Sequence, residues 1–226
     1  MARFSRLQVA QTLLDQGMMP LFYQADIELC KKITDACYAG GLRIIEFTNR
    51  GDLAHEVFTD LMKYVRTTYP DLILGIGSVV DGPTTALYIQ LGADFVVSPI
   101  LNHDMARICN RRKILWGPGC ATLSEINQAE EWGAEIVKVF PANTLGGPAF
   151  IKSIKGPCPW STLIATGGVE PTHENLSGWF GAGIDCVGMG SKLVSKDMIA
   201  RNAFGELETV VRETLALIQD LRKKGE

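Results

Sequence analysis

Lys138 stands in the apolar run Ile136-Val137-Lys138-Val139-Phe140, which Pro141-Ala142-Asn143 closes. A short apolar run bounded by turn residues reads as a strand buried on both faces, where an unpaired ammonium is costly and the neutral amine is favoured. A desolvated amine with a lowered pKa is the usual nucleophile for making a Schiff base with a carbonyl compound. The competing reading is a structural lysine whose stem crosses the layer and puts its head in water.

Other reactive groups fall at the ends of similar runs. Leu42-Arg43-Ile44-Ile45-Glu46-Phe47 exits through Thr48-Asn49-Arg50, which sets a carboxylate at a strand end and a guanidinium just above it. A proton-handling acid beside an anion-binding arginine is one reading, and a structural salt bridge is the other. Gly75-Ile76-Gly77-Ser78 presents a hydroxyl flanked by glycines that relieve crowding, and it lacks the third glycine of a dinucleotide fingerprint. Further runs end at Ser98-Pro99 and Gly117-Pro118-Gly119. Two more end at Thr166-Gly167-Gly168 and Gly188-Met189-Gly190-Ser191, whose small residues suit a phosphate, with a helix N-terminus to reinforce them. No cationic side chain is evident at that end.

The elements that carry these groups follow one recurrent pattern. Gly40-Gly41, Gly92-Ala93, Gly133-Ala134 and Gly181-Ala182-Gly183 each follow a helical stretch and precede an apolar run, as left-handed helix caps do. The runs behind them, with Met18–Tyr23, Leu72–Ile76, Lys113–Trp116 and Thr162–Ala165, make eight expected strands. Ser5 and Gly17 bracket an N-terminal helix, Asp26 caps the next, and Thr122-Leu-Ser-Glu125 is a capping box. Phe204, Leu207, Val211, Leu215, Ile218 and Leu221 form the apolar stripe of a long C-terminal helix. Eight alternating strands and helices predict a (β/α)8 TIM barrel occupying residues 1–226 as one domain, with an open doubly wound sheet as the alternative. In such a barrel these strand ends share one mouth.

Composition narrows the partners. The chain has 226 residues, 46% of them hydrophobic, a formal net charge of −3 and a pI near 5.7, with both signs scattered. That gives no basic stripe for nucleic acid and no polybasic membrane anchor, and no segment approaches the ~20 apolar residues of a membrane span. A soluble cytoplasmic protein is expected. The six cysteines lie far apart and read as free buried thiols, and the three histidines are equally isolated, so neither a metal nor a cofactor is expected. Arg111-Arg112-Lys113 and Arg222-Lys223-Lys224 read as solvated helix ends.

The blocks Arg43–Arg50, Gly75–Val79, Val97–Pro99, Gly117–Thr122, Val137–Ala142, Ala165–Gly168 and Gly188–Ser191 resemble, in order, those of the bacterial 2-keto-3-deoxy-6-phosphogluconate / 4-hydroxy-2-oxoglutarate aldolases. Glu-x-Thr-x-Arg with the downstream Lys-x-Phe-Pro-Ala is the most specific combination. The resemblance implies a homotrimeric class I aldolase acting on a small 2-keto acid, with Lys138 as Schiff-base lysine and Glu46 as proton carrier. It assigns Arg50 and Ser78 to the substrate carboxylate, Thr166, Gly167, Gly168, Gly190 and Ser191 to its phosphate, and Pro99 and Phe140 to the pocket wall. Ser78 stands where the family usually has threonine, and Cys120-Ala121-Thr122 and Asn143-Thr144-Leu145 also depart from it, which leaves the preferred sugar acid open. Two other readings compete: a phosphosugar isomerase or epimerase with Glu46 as enolising base, and a non-catalytic phosphosugar-binding barrel.

Overall fold

A computed structural model describes residues 2–223. The chain alternates strands β1 Met18–Phe22, β2 Ile44–Thr48, β3 Ile73–Gly77, β4 Phe95–Val97, β5 Leu115–Gly117, β6 Gly119–Cys120, β7 Val137–Val139, β8 Leu163–Thr166 and β9 Cys186–Met189 with helices. The helices are α1 Arg6–Gln16, α2 Ile27–Ala39, α3 Ala54–Thr68, α4 Gly82–Leu91, α5 His103–Arg112, α6 Leu123–Glu131, α7 Pro148–Lys155, α8 His173–Gly181, α9 Lys196–Ala200 and α10 Phe204–Lys223. Local chemistry sets many of their boundaries. Ser5 and Gln8 form a capping box on α1, Thr122 and Glu125 form one on α6, and the Asp26 side chain caps α2. Gly41, Gly92, Gly133 and Gly183 adopt φ of 106°, 101°, 85° and 90°, so each expected helix-to-strand junction turns on a glycine at positive φ.

All strands pair in parallel, in the order β5-β4-β3-β2-β1-β9-β8-β7-β6. The expected fifth strand is two segments. Pro118 separates them because it has no N–H to donate to a ladder. β5 pairs with β4 and β6 pairs with β7, so one stretch of chain bonds to both ends of the sheet and brings it round into a nearly closed barrel. The Pro118 carbonyl contributes to this closure by accepting the Lys138 N–H at 2.8 Å. The open sheet is thereby excluded. Lys113, expected at the start of the fifth strand, instead ends α5 at φ 56°.

The barrel interior is filled from below. Met19, Ile44, Ile73, Phe95, Leu115, Ile136, Ile164 and Cys186, one from each of the eight runs, form a buried layer with Val9, Ala10 and Leu13 of α1. The N-terminal helix thus plugs the end of the barrel away from the strand C-termini. At the C-terminus, Leu207, Val211, Leu215 and Ile218 bury the expected stripe of α10. Arg222 is not a solvated end: its guanidinium donates to the carbonyls of Leu14 and Asp185 and stands 5.3 Å from the Phe180 ring centroid. Lys224 lies outside the described residues. Five cysteines are buried and free, whereas Cys158 is half-buried.

Candidate active site

A strand returns to the same face every second residue. Two positions above the apolar layer, the inward residues are therefore Leu21, Val97, three glycines (Gly75, Gly117 and Gly188) and three polar residues, Glu46, Lys138 and Thr166. Gly75 and Gly188 of this layer, and Gly77 at the end of β3, make room. A Cβ on Gly75 would strike the Phe95 ring, one on Gly77 would overlap the Glu46 carboxyl, and one on Gly188 would lie 2.5 Å from Thr166 Oγ1.

β2 and β7 stand four places apart around a ring of eight runs, so Glu46 and Lys138 face each other across the barrel. Glu46 is 1% exposed and Lys138 5% exposed, so most of the lysine lies inside the barrel rather than in water. Beneath Lys138 lies an apolar cavity of about 20 Å³ walled by Leu13, Met19, Phe95, Leu115, Ile136 and Ile164 among others. Water there would find no polar side chain except the lysine itself. Burial pushes the Lys138 pKa below the usual amine range, the Glu46 carboxylate opposes that shift, and the Arg50 guanidinium reinforces it. Burial pushes Glu46 above the usual carboxylate range against the opposing charges of Lys138 and Arg50. Both shifts favour neutral forms, which is what a nucleophilic amine facing a proton-carrying acid requires. Glu46 Oε2 is buried without a hydrogen-bond partner, and the Phe140 ring centroid lies 4.9 Å from Lys138 Nζ.

Arg50 is exposed and makes no ion pair with Glu46. Its Nε donates to Ser78 Oγ at 3.1 Å, which joins the two groups assigned to a carboxylate. Ser78 adopts φ 59°, a backbone that suits a small unbranched residue better than a threonine. Half-buried Pro99 abuts Gly119, whose missing Cβ lets the two backbones approach.

Thr166 pairs with Gly188 in the β8–β9 register, so the two glycine turns start side by side. Gly167 and Gly168 take φ of 100° and 76°, and a side chain on Gly168 would collide with Asn143. The carbonyls of Thr166 and Gly167 accept the N–H groups of Ala142 and Asn143 at 2.9 and 3.1 Å. These bonds fasten the turn to the segment that follows Lys138. No helix begins at either turn: α8 starts at His173 and the five-residue α9 at Lys196, so the expected helix N-terminus is not at hand. The expectation of no cation also needs correction, because Lys192 follows Ser191 and pairs with Glu170 at 2.8 Å. The lysine beside Ser191 was a visible signal, whereas nothing in the sequence marked Glu170. A groove of about 610 Å³ between α5, α6 and the start of α1 holds none of the site residues. Among the described residues no cluster of metal-ligating side chains occurs, and no helix is long and apolar enough to cross a membrane.

The model of the KDPG and KHG aldolase family matches residues 9–210. The chain belongs to that family. As a KDPG/KHG-family aldolase it is a carbon–carbon lyase. Among its relatives, a 2-dehydro-3-deoxy-phosphogluconate aldolase of Pseudoalteromonas atlantica is 30% identical over 92% of this chain and 94% of its own. One from Pseudomonas aeruginosa is 33% identical over 84% of each. The fold matches the KDPG aldolase of Legionella pneumophila, solved with pyruvate captured as a covalent carbinolamine, with a TM-score of 0.81 and 24% identity over 90% of this chain and 96% of that one. The Zymomonas mobilis enzyme, solved with 3-phosphoglycerate, gives 0.78 and 26% over 94% and 97%.

Proposed function

We propose that this aldolase cleaves a 2-keto-3-deoxy-6-phospho sugar acid, 4-hydroxy-2-oxoglutarate or both, through a Schiff base on Lys138. The products are pyruvate and an aldehyde, glyceraldehyde 3-phosphate or glyoxylate. The observation that carries the reading is the burial of Lys138 in the polar layer of the barrel, facing Glu46, above a dry floor.

The neutral amine attacks the C2 carbonyl carbon, and Glu46 carries protons while the carbinolamine loses water and becomes a cationic imine. The Glu46 carboxylate then takes the proton of the C4 hydroxyl. The C3–C4 bond breaks, its electrons flow into the imine, and the aldehyde departs from an enamine. Protonation at C3 and hydrolysis release pyruvate and restore the amine. Arg50 and Ser78 hold the C1 carboxylate, for which a planar guanidinium can supply two parallel charge-assisted bonds. Thr166, Gly167, Gly168, Gly190 and Ser191 receive the distal phosphate, while Pro99 and Phe140 wall the reacting carbons. The carbinolamine captured with pyruvate in the Legionella enzyme supports this use of the site.

Trapping tests the reading. Pyruvate with borohydride should leave a reduced adduct whose mass maps to Lys138, since only an imine at that amine becomes a stable bond. Active enzyme with no adduct, or with one on another lysine, would falsify the assignment. Turnover should persist after exhaustive chelation. Turnover that is lost to chelation and restored by a divalent ion moves the chemistry to a metal.

A homotrimer is part of the same proposal. Leu53, Val80, Ile100 and Leu123 are exposed apolar residues in the segments after β2, β3, β4 and β6, four neighbouring sectors of the barrel, and they support an interface there. Light scattering near three times 24.7 kDa is the expected result, and a monomer mass removes the trimer. A cytoplasmic location completes the proposal, which the free thiols support.

A further inference from the structure

The turns after β8 and β9 are linked by a single ion pair between Lys192 Nζ and Glu170 Oε1 at 2.8 Å. Lys192 directly follows Ser191, and Glu170 lies two residues past Gly168, so the pair spans both turns of the phosphate end. Hydrogen bonds hold the backbone around each partner. The Glu170 N–H donates to Asn175 Oδ1 at 2.9 Å, and its carbonyl accepts the Thr172 N–H at 2.8 Å. Asn175 also donates to the Gly168 carbonyl at 3.2 Å and accepts from Trp179 Nε1 at 3.1 Å, which ties Gly168 and Glu170 to α8. On the other turn, Leu193 and Val194 are buried and both donate their N–H groups to the Gly190 carbonyl at 2.9 Å. The backbones on both sides are thus fixed, and of the two side chains the lysine's is the longer and the more exposed.

The ion pair itself is weak. With 60% of the lysine side chain and 40% of the glutamate side chain exposed, water competes for both ends, and such pairs contribute little. A phosphate ester offers a charge of about −1.5 to −2 at pH 7 and three acceptor oxygens, against a single charge on the carboxylate. The ammonium therefore gains by exchanging one partner for the other. Gly167, Gly168, Gly190 and Ser191 offer only dipoles, and Arg50 is engaged with Ser78 beyond β1.

We propose that Lys192 is a specificity-determining residue of this aldolase, leaving Glu170 to bind the distal phosphate of the substrate, while Glu170 competes for the ammonium and retains it when the substrate has no such charge. The assignment rests on the reading of these turns as the phosphate end. It requires the two halves of the ion pair to act with opposite sign, whereas a structural salt bridge would make its two variants act alike.

The test compares KM for 2-keto-3-deoxy-6-phosphogluconate with KM for the same acid lacking the phosphate, and uses inorganic phosphate as a competitive inhibitor. Lys192→Met should raise the ratio of the first KM to the second about tenfold and weaken phosphate inhibition to a similar degree, the effect of one partly exposed charge-assisted hydrogen bond. Lys192→Arg should restore most of the wild-type ratio. Glu170→Gln should lower the ratio about two- to threefold by removing the competitor. A shift of the ratio in the same direction by Lys192→Met and Glu170→Gln overturns the proposal. So does an unchanged ratio in Lys192→Met when phosphate still inhibits the wild type. A wild type that traps pyruvate on Lys138 yet ignores phosphate and prefers neither acid overturns the phosphate end itself, and this assignment with it.

Discussion

Replacing Gly77 with alanine should disable turnover while leaving the barrel folded. The backbone there lies outside the left-handed region, so alanine adds no conformational strain and takes some entropy from the unfolded chain. The difficulty is the added methyl. It would overlap the Glu46 carboxyl and sit 2.8 Å from Glu46 Cγ, where ordinary contact begins near 3.4 Å. Glu46 cannot stay where it is. Its carboxyl must move by about 1 Å or more, and a displacement of that size at a reacting group costs about 10²-fold in rate. Gly117→Ala is the matched control, because its new methyl also points into the barrel but meets Val97 Cγ2 at a comfortable 3.5 Å. The assays are pyruvate release in the steady state and thermal melting of both variants. We expect kcat for Gly77→Ala to fall about 10²-fold with a nearly unchanged melting curve, and Gly117→Ala to remain active. Normal kcat in a folded Gly77→Ala would refute the claim that the reaction depends on the observed position of Glu46.

Four further outcomes rest on the same geometry. Glu46→Gln should lower kcat by about 10²–10⁴-fold with a smaller effect on substrate binding, and near-normal turnover removes Glu46 from the mechanism. Imine formation needs neutral Lys138, so the pH dependence of trapping has a definite sign: Glu46→Gln removes a charge that raises the lysine pKa and moves the acid limb down, whereas Arg50→Gln removes one that lowers it and moves the limb up. Shifts in one common direction contradict the electrostatics described here. Ser191→Asp places a negative charge at the phosphate end and should raise KM for a six-carbon phosphorylated acid far more than for 4-hydroxy-2-oxoglutarate; equal losses place the phosphate elsewhere. Leu13→Ala in the α1 plug should cost about 2–5 kcal/mol and roughly 5–15 °C in melting temperature, and an unchanged melt shows that α1 does not seal the floor.

The barrel was legible because glycine caps and apolar runs alternate with little interruption, and because Lys138 is the one ionisable residue in its run. Glu46 was legible for a related reason, as a carboxylate at the end of an apolar strand. What escaped depends on distant parts of the chain. The split at Pro118 follows from one stretch serving two different partners, although proline within the stretch was a signal. Lys113 looked like strand because it abuts an apolar run, yet it caps a helix at a positive φ where glycine is usual. The Arg222 cluster looked solvated because its carbonyl partners lie near residues 14 and 185. The Glu170–Lys192 contact likewise joins two turns that only the closed β8–β9 pair brings together.

The reactivity assigned to Lys138 depends on register more than on any single contact. Val137 and Val139 belong to the cluster between strands and helices, so the alternation that buries them outward is what aims Lys138 inward. A slip of one residue would turn the lysine toward the helices and put a valine in its place. The same rule operates on β2, where Ile45 and Phe47 face the helices and Glu46 faces the barrel. Apolar side chains thus position the two polar ones. The floor two residues below completes the chemistry, because Phe95, Leu115, Ile136 and Ile164 of the barrel and Leu13 of α1 exclude the water that would otherwise stabilise an ammonium. In the proposed mechanism these apolar residues beneath Lys138 keep its amine neutral, and a polar substitution in that floor should impair imine formation even where the fold survives.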